Sequence, residues 1–206
     1  MAPPTKIMIV RHAEKPEVKN QPPFGMNTDG VQDWESLIIQ GWQRAGALAV
    51  LFDPSRGPLQ DSGLVVPTLI YASNPRTVQG VLADSDSTHE GSKSRRPLET
   101  ITPLATKLGL RPDLSFAKGE EKKLADEVLS RSEAVLIAWQ HQDIPKLVDH
   151  LVKSSATTNP VPQEWPGHRF DLVWVLTPPA SSTAPWGFGQ VPQLLLVGDE
   201  NSVISP

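Results

Sequence analysis

Apolar residues occur along this chain in short blocks that end abruptly on polar ones. Ile7-Met8-Ile9-Val10 stops at Arg11-His12, and Leu69-Ile70-Tyr71-Ala72 stops at Ser73-Asn74-Pro75. Ala134 to Trp139 stops at Gln140-His141, and Phe170 to Leu176 and Val191 to Val197 complete the set. Continuous and rich in β-branched residues, these blocks predict strands buried on both faces. Between them the spacing becomes helical. Gly41 to Leu51 carries Trp42, Ala45, Leu48 and Leu51 on one stripe. Leu98 to Leu108 carries Leu98, Ile101, Leu104 and Leu108, then meets Gly109, a C-terminal capping residue. Pro103 lies inside that pattern and predicts a helix that starts near it or kinks there. Glu120 to Leu129 and Ile144 to Val152 are the other two predicted helices. Strands alternating with helices predict an α/β fold, a three-layer α/β/α sandwich on a mostly parallel central sheet.

Two stretches interrupt this order. Gln21 to Asp33 and Asn74 to Ser94 are polar and rich in Gly, Pro, Ser and Asp, and many of the 21 prolines fall between the apolar blocks. The expectation is therefore one domain over residues 1–206 with long loops at about 18–36 and 74–94, of the kind that act as lids or rims. A length of 206 residues suits one domain with a sizeable core. The absence of cysteine excludes a disulfide scaffold, a thiolate nucleophile and any Cys-ligated metal. With 19 basic against 23 acidic residues, a nucleic-acid partner is not expected. No apolar run approaches the roughly 20 residues of a membrane helix, and the first residues lack a signal-peptide layout. These features predict a soluble, cytoplasmic protein with no membrane partner.

The candidate chemistry lies where the blocks end. Arg11-His12 follows a predicted buried strand, at the edge where open α/β sheets bind ligands. A charged cluster that merely opens a loop is the alternative. A second strand ends in the same way, at His141-Gln142-Asp143, and two histidines at equivalent strand ends are harder to dismiss than one. Ser94-Arg95-Arg96-Pro97-Leu98-Glu99-Thr100 precedes a predicted helix, where an arginine could hold an anion together with the first helical amides. By itself it could equally be a solvated basic turn.

Taken in order, RHAEKP, then an Arg four residues before Thr in SRRPLET, then LIAWQH, resemble the histidine phosphatase superfamily, also called phosphoglycerate mutase-like. Leu37 to Ala45 (LIIQGWQRA) is similar to that family's Leu-Thr-x-x-Gly-x-x-Gln-Ala segment, and the matching segments run from about residue 6 to residue 155. The resemblance implies a phosphoglycerate mutase-like fold and a metal-independent phosphatase that needs no cofactor. In it His12 attacks phosphorus and forms a phosphohistidine that water then cleaves. Arg11 and Arg96 bind the phosphoryl oxygens, and His141 adds a donor. Positioning and charge stabilisation carry most of such catalysis.

The proton donor to the leaving oxygen is open at this level. Glu120 and Glu121 follow Arg96 at a suitable distance and are preferred to Asp143, because Gln142 occupies the place directly after the second histidine. Glu14 is expected to brace the arginines, and Lys15 and Gln142 to border the substrate. Arg76 in Asn74-Pro75-Arg76-Thr77 competes with Arg96 as the second arginine, since the family places it closer to its strand. A phosphomutase, or a protein that reuses the site for other chemistry or for binding, are the alternatives. Prolines, Trp and aliphatic residues near the expected rim predict a small organic phosphate ester larger or less polar than a sugar phosphate. His89, His150 and His168 are expected at the surface, and Trp139, Trp165 and Trp174 in the core. Trp186 could line a pocket.

Overall fold

The computed structural model describes residues 3–75, 93–153 and 155–206. Most of the second expected loop, with Arg76 and His89, lies outside them. Five strands form one sheet: β1 (Lys6–Arg11), β2 (Leu69–Ala72), β3 (Ala134–Trp139), β4 (Leu172–Thr177) and β5 (Gly187–Pro192), in the order β2-β3-β1-β4-β5. Among the described residues four α-helices accompany them: α1 (Ile39–Phe52), α2 (Arg96–Leu108), α3 (Glu121–Leu129) and α4 (Ile144–Val152). The fold is α/β, as the alternating blocks predict.

The sheet is mixed, and here the expectation of a mostly parallel sheet needs correcting. β1 and β2 both pair parallel with β3, whereas β4 pairs antiparallel with β1 and β5 antiparallel with β4. A parallel neighbour needs a crossover connection. The described residues between α4 and β4 form no helix, so the chain returns along the sheet ends and enters β4 from the edge where β1 stops. That reversal lays residues 166–170 beside Arg11.

Alternating residues of the strands feed two separate apolar clusters. Ile7, Ile9, Val135, Ile137 and Trp174 pack with Leu124 and Val128 of α3 and Leu147 and Leu151 of α4. Met8, Val10, Leu136, Ala138 and Val175 pack with Leu48 and Phe52 of α1 and Ile101 and Leu104 of α2. The side-chain period of two along a strand produces this division. Each fully buried side chain of this kind contributes roughly 1.5–3 kcal/mol.

Element boundaries follow local chemistry. α2 runs unbroken through Pro103 and ends on Gly109, whose φ of 66° is the left-handed conformation a glycine adopts freely. The last apolar block is displaced from its predicted place. β5 ends at Pro192, Leu194 takes a φ of 51°, and the side chain of Val197 is fully exposed. A proline without an N–H and a left-handed residue end the ladder before the Leu run begins. Among the described residues of the first long loop, the only pairing is the isolated bridge Met26–Gln32.

Candidate active site

Parallel pairing fixes the centre. Arg11 lies opposite Trp139 in register, and the His12 amide donates to the Trp139 carbonyl at 3.0 Å, so His12 sits where β3 leads into His141. The two imidazoles meet edge to face with centroids 6.4 Å apart. His141 opens a short 3-10 turn, His141–Asp143, directly before α4. The two histidines at strand ends are thus brought together.

His12 is buried, and its Nδ1 lies 2.7 Å from the Ala13 carbonyl. A carbonyl only accepts, so Nδ1 carries the proton and Nε2 keeps its lone pair. Burial, then the Arg11 charge, hold the imidazole well below its ordinary 6.5, with the charges of Arg96 and His141 adding to the shift. His12 is therefore neutral at physiological pH, with one fixed tautomer.

Arg11 is 1% exposed. Its Nη1 donates to the carbonyls of Pro166, Gly167 and Arg169 at 3.3, 2.8 and 3.1 Å. The guanidinium lies over the Phe170 ring, 3.7 Å from its centroid, and the same ring is 6.2 Å from His12. Burial pushes its pKa down to about 9, so it stays cationic at neutral pH. Its Nε and Nη2, which form the fork that grips an oxyanion, have no hydrogen-bond partner among the described residues. His141 Nδ1 is likewise buried without a partner among them. The imidazole of His141 is pushed down to about 4 by burial and then by Arg11, Lys15 and Lys118.

Arg96 is the first residue of α2 and is largely buried. Its Nε donates to the Ser36 carbonyl at 3.3 Å and its Nη2 to the Trp34 carbonyl, while Glu35 lies 3.8 Å away. The helix start offers less to an anion than expected. Pro97 has no N–H, and the Arg95 amide is spent on the Glu35 carbonyl at 3.0 Å. Thr100 ties this helix to the loop after β1: its hydroxyl accepts from the Ala13 amide at 2.8 Å and donates to the Arg96 carbonyl at 2.7 Å. Lys15 is partly buried, and its ammonium is lowered by burial and by the charges of Arg96 and Arg11.

The carboxylates divide by their partners. Glu14 braces an arginine, but it is Arg44 of α1, at 2.9 and 2.8 Å through Oε1. Arg44 also binds Asp199 and the Gln193 side chain. Glu120 accepts from the Ala117 amide and from Lys123. Glu121 accepts from the Gly119 amide at 2.8 Å and the Trp139 indole at 3.1 Å. Both thus stabilise the entry to α3. Asp143 Oδ2, like Glu121 Oε2, is buried without a hydrogen bond among the described residues and has a lysine nearby, Lys118 at 3.9 Å; what sets Asp143 apart is that burial, followed by the Glu121 charge, raises its pKa. Gln142 is exposed on the same turn.

Three contributors were missed at the sequence level. Phe170 reads as the first residue of a strand, and only the antiparallel entry of β4 turns it into a platform for Arg11. Arg44 had a signal, a charge on the apolar stripe formed by Gly41, Ala45 and Leu48. Thr100 stood inside the quoted motif without a role. Trp186 is buried in the core. Among the described residues no group of three His, Asp or Glu side chains is arranged to hold a metal ion, and no helix is long and apolar enough to cross a membrane. No protein-family model and no curated protein matches the chain.

Proposed function

We propose that the chain is a metal-independent phosphatase that hydrolyses a phosphomonoester through a phosphohistidine on His12. In this reading the fold is the three-layer, phosphoglycerate mutase-like form of an α/β protein, which the two apolar clusters on alternate strand residues support. One observation carries the functional reading. A neutral imidazole with Nδ1 held by the Ala13 carbonyl stands beside a buried guanidinium whose Nε and Nη2 lack partners among the described residues.

Nε2 of His12 attacks phosphorus in line, the P–O ester bond breaks, and the electron pair leaves on the alcohol oxygen. Asp143 gives that oxygen its proton. The phosphoimidazolium keeps its Nδ1 proton on the Ala13 carbonyl, and Arg11, Arg96 and His141 hold the three equatorial oxygens. Water then attacks phosphorus, Asp143 takes its proton, and the P–N bond breaks to restore neutral His12. We assign the proton to Asp143, rather than to Glu120 or Glu121, because its raised pKa and its place on the His141 turn suit an acid near neutral pH. The other two carboxylates are engaged in local hydrogen bonds.

Phosphate release from 4-nitrophenyl phosphate, in excess chelator, tests this with wild type and His12→Ala. The expected result is chelator-resistant turnover that falls at least about a thousandfold in the variant. Equal turnover by a folded His12→Ala protein would overturn the reading.

A further inference from the structure

Beside the His12 centre lies a cavity of about 640 Å³, lined by residues 14, 15, 17, 23, 38, 40, 44, 167–171 and 197–200. Its volume suits a small organic ligand. Lys15, Gly167 and Phe170 belong both to its wall and to the surroundings of Arg11: Gly167 accepts from Arg11, and Phe170 lies under the guanidinium. An ester whose phosphoryl group rests on Arg11 can therefore extend its alcohol past Phe170 into this space.

The two ends differ in charge. At the His12 end the charges of Arg11 and Arg96 act on the imidazole and that of Lys15 on His141, while Glu14 and Glu35 act on the two arginines. Around the cavity, five carboxylates stand against three cations among the described residues. Two of those cations are already committed: Arg44 to Glu14 and Asp199, and Arg169 to Asp171 and Glu200. The third, Lys15, stands among the charges of Arg96, Arg11 and Glu17, which leaves five carboxylates to three cations. The surplus is acidic. Glu17 is exposed at the rim. Glu14, only 6% exposed and part of the wall, keeps Oε2 without a hydrogen-bond partner among the described residues. Pro23 and Ile38 add apolar wall suited to a short methylene chain.

Resting on the phosphatase reading above, we propose that this cavity receives the alcohol portion of the substrate, and that this alcohol carries a primary ammonium group. The substrate class is an aminoalkyl phosphate, a zwitterion whose two charges match the two ends of the site. Esters of hydroxy acids are disfavoured by the same surplus.

Phosphonates test the cavity separately from catalysis, because their C–P bond is not cleaved. Calorimetric titration would compare 3-aminopropylphosphonate, 3-hydroxypropylphosphonate and 2-carboxyethylphosphonate on the wild-type protein. The amino compound is expected to bind about tenfold tighter than the hydroxy one, with the carboxy compound weakest. Glu17→Lys and Glu200→Lys should narrow that ratio, and the wild-type comparison stands if either variant fails to fold. Equal binding of all three would overturn the aminoalkyl assignment and leave the phosphatase reading intact. An amino preference without turnover of 2-aminoethyl phosphate or 4-nitrophenyl phosphate would keep the cavity assignment and remove the phosphatase reading. Failure of every phosphonate to bind would overturn both.

Discussion

Burial and the Arg11 charge push the His12 imidazole down, and the Ala13 carbonyl selects which nitrogen keeps the proton. The proposed chemistry depends on both effects, since a protonated ring has no lone pair to offer and the other tautomer would present a proton to phosphorus. The acid assignment makes a prediction at this scale. A 4-nitrophenolate leaves readily without a proton, whereas an alkoxide does not. Asp143→Asn should therefore lower kcat/KM on an alkyl phosphate by about 10²–10⁴ and on 4-nitrophenyl phosphate by far less. Steady-state kinetics on the two substrates reads the difference. Equal losses would remove Asp143 as the acid.

Elements hold these residues through a few buried polar links, and those links are what a substitution would test. Gly41 of α1 sits so close to the loop after β1 that a Cβ there would lie 2.5 Å from the Glu14 carbonyl. One turn on, Arg44 joins Glu14 to Asp199 and Gln193 of the C-terminal segment. Arg44→Met removes the cation and leaves two buried carboxylates unpaired, at a cost of about 3–5 kcal/mol. Urea denaturation measures this, and a loss below about 1 kcal/mol would contradict it. The same residues mark how far the sequence could be read. The β1 to β3 strands and four helices were legible because their apolar periods are set by burial alone. Arg11, His12 and His141 were legible because strand ends are predictable places. The direction of β4 was not, since it depends on the path of a connection without periodicity, and Phe170 was hidden with it. The preference for Glu120 and Glu121 rested on spacing along the chain, and the hydrogen bonds that engage them become visible only in three dimensions.

For the whole molecule, the histidines couple stability to pH. His141 has a folded pKa of about 4 against an ordinary 6.5, and His12 is also depressed, both mainly by burial. The unfolded chain therefore takes up protons first. Stability is fully present above about pH 6.5 and falls as pH drops toward 4, where folded His141 protonates as well. Asp143 and Glu99, with raised pKa values, act in the opposite sense. Comparing wild type with His141→Asn isolates the histidine. Between about pH 7 and pH 4.5 the wild-type Tm should fall further than that of the variant. Parallel losses would contradict a neutral, half-buried His141. The central claim is the covalent bond between phosphorus and His12, and trapping it is the most direct test. Rapid quenching in base during turnover of a good phosphate ester, followed by peptide mass spectrometry, should find one phosphoryl group on the peptide containing His12, stable to base and lost in acid. Turnover with the phosphoryl group on another residue would contradict the account.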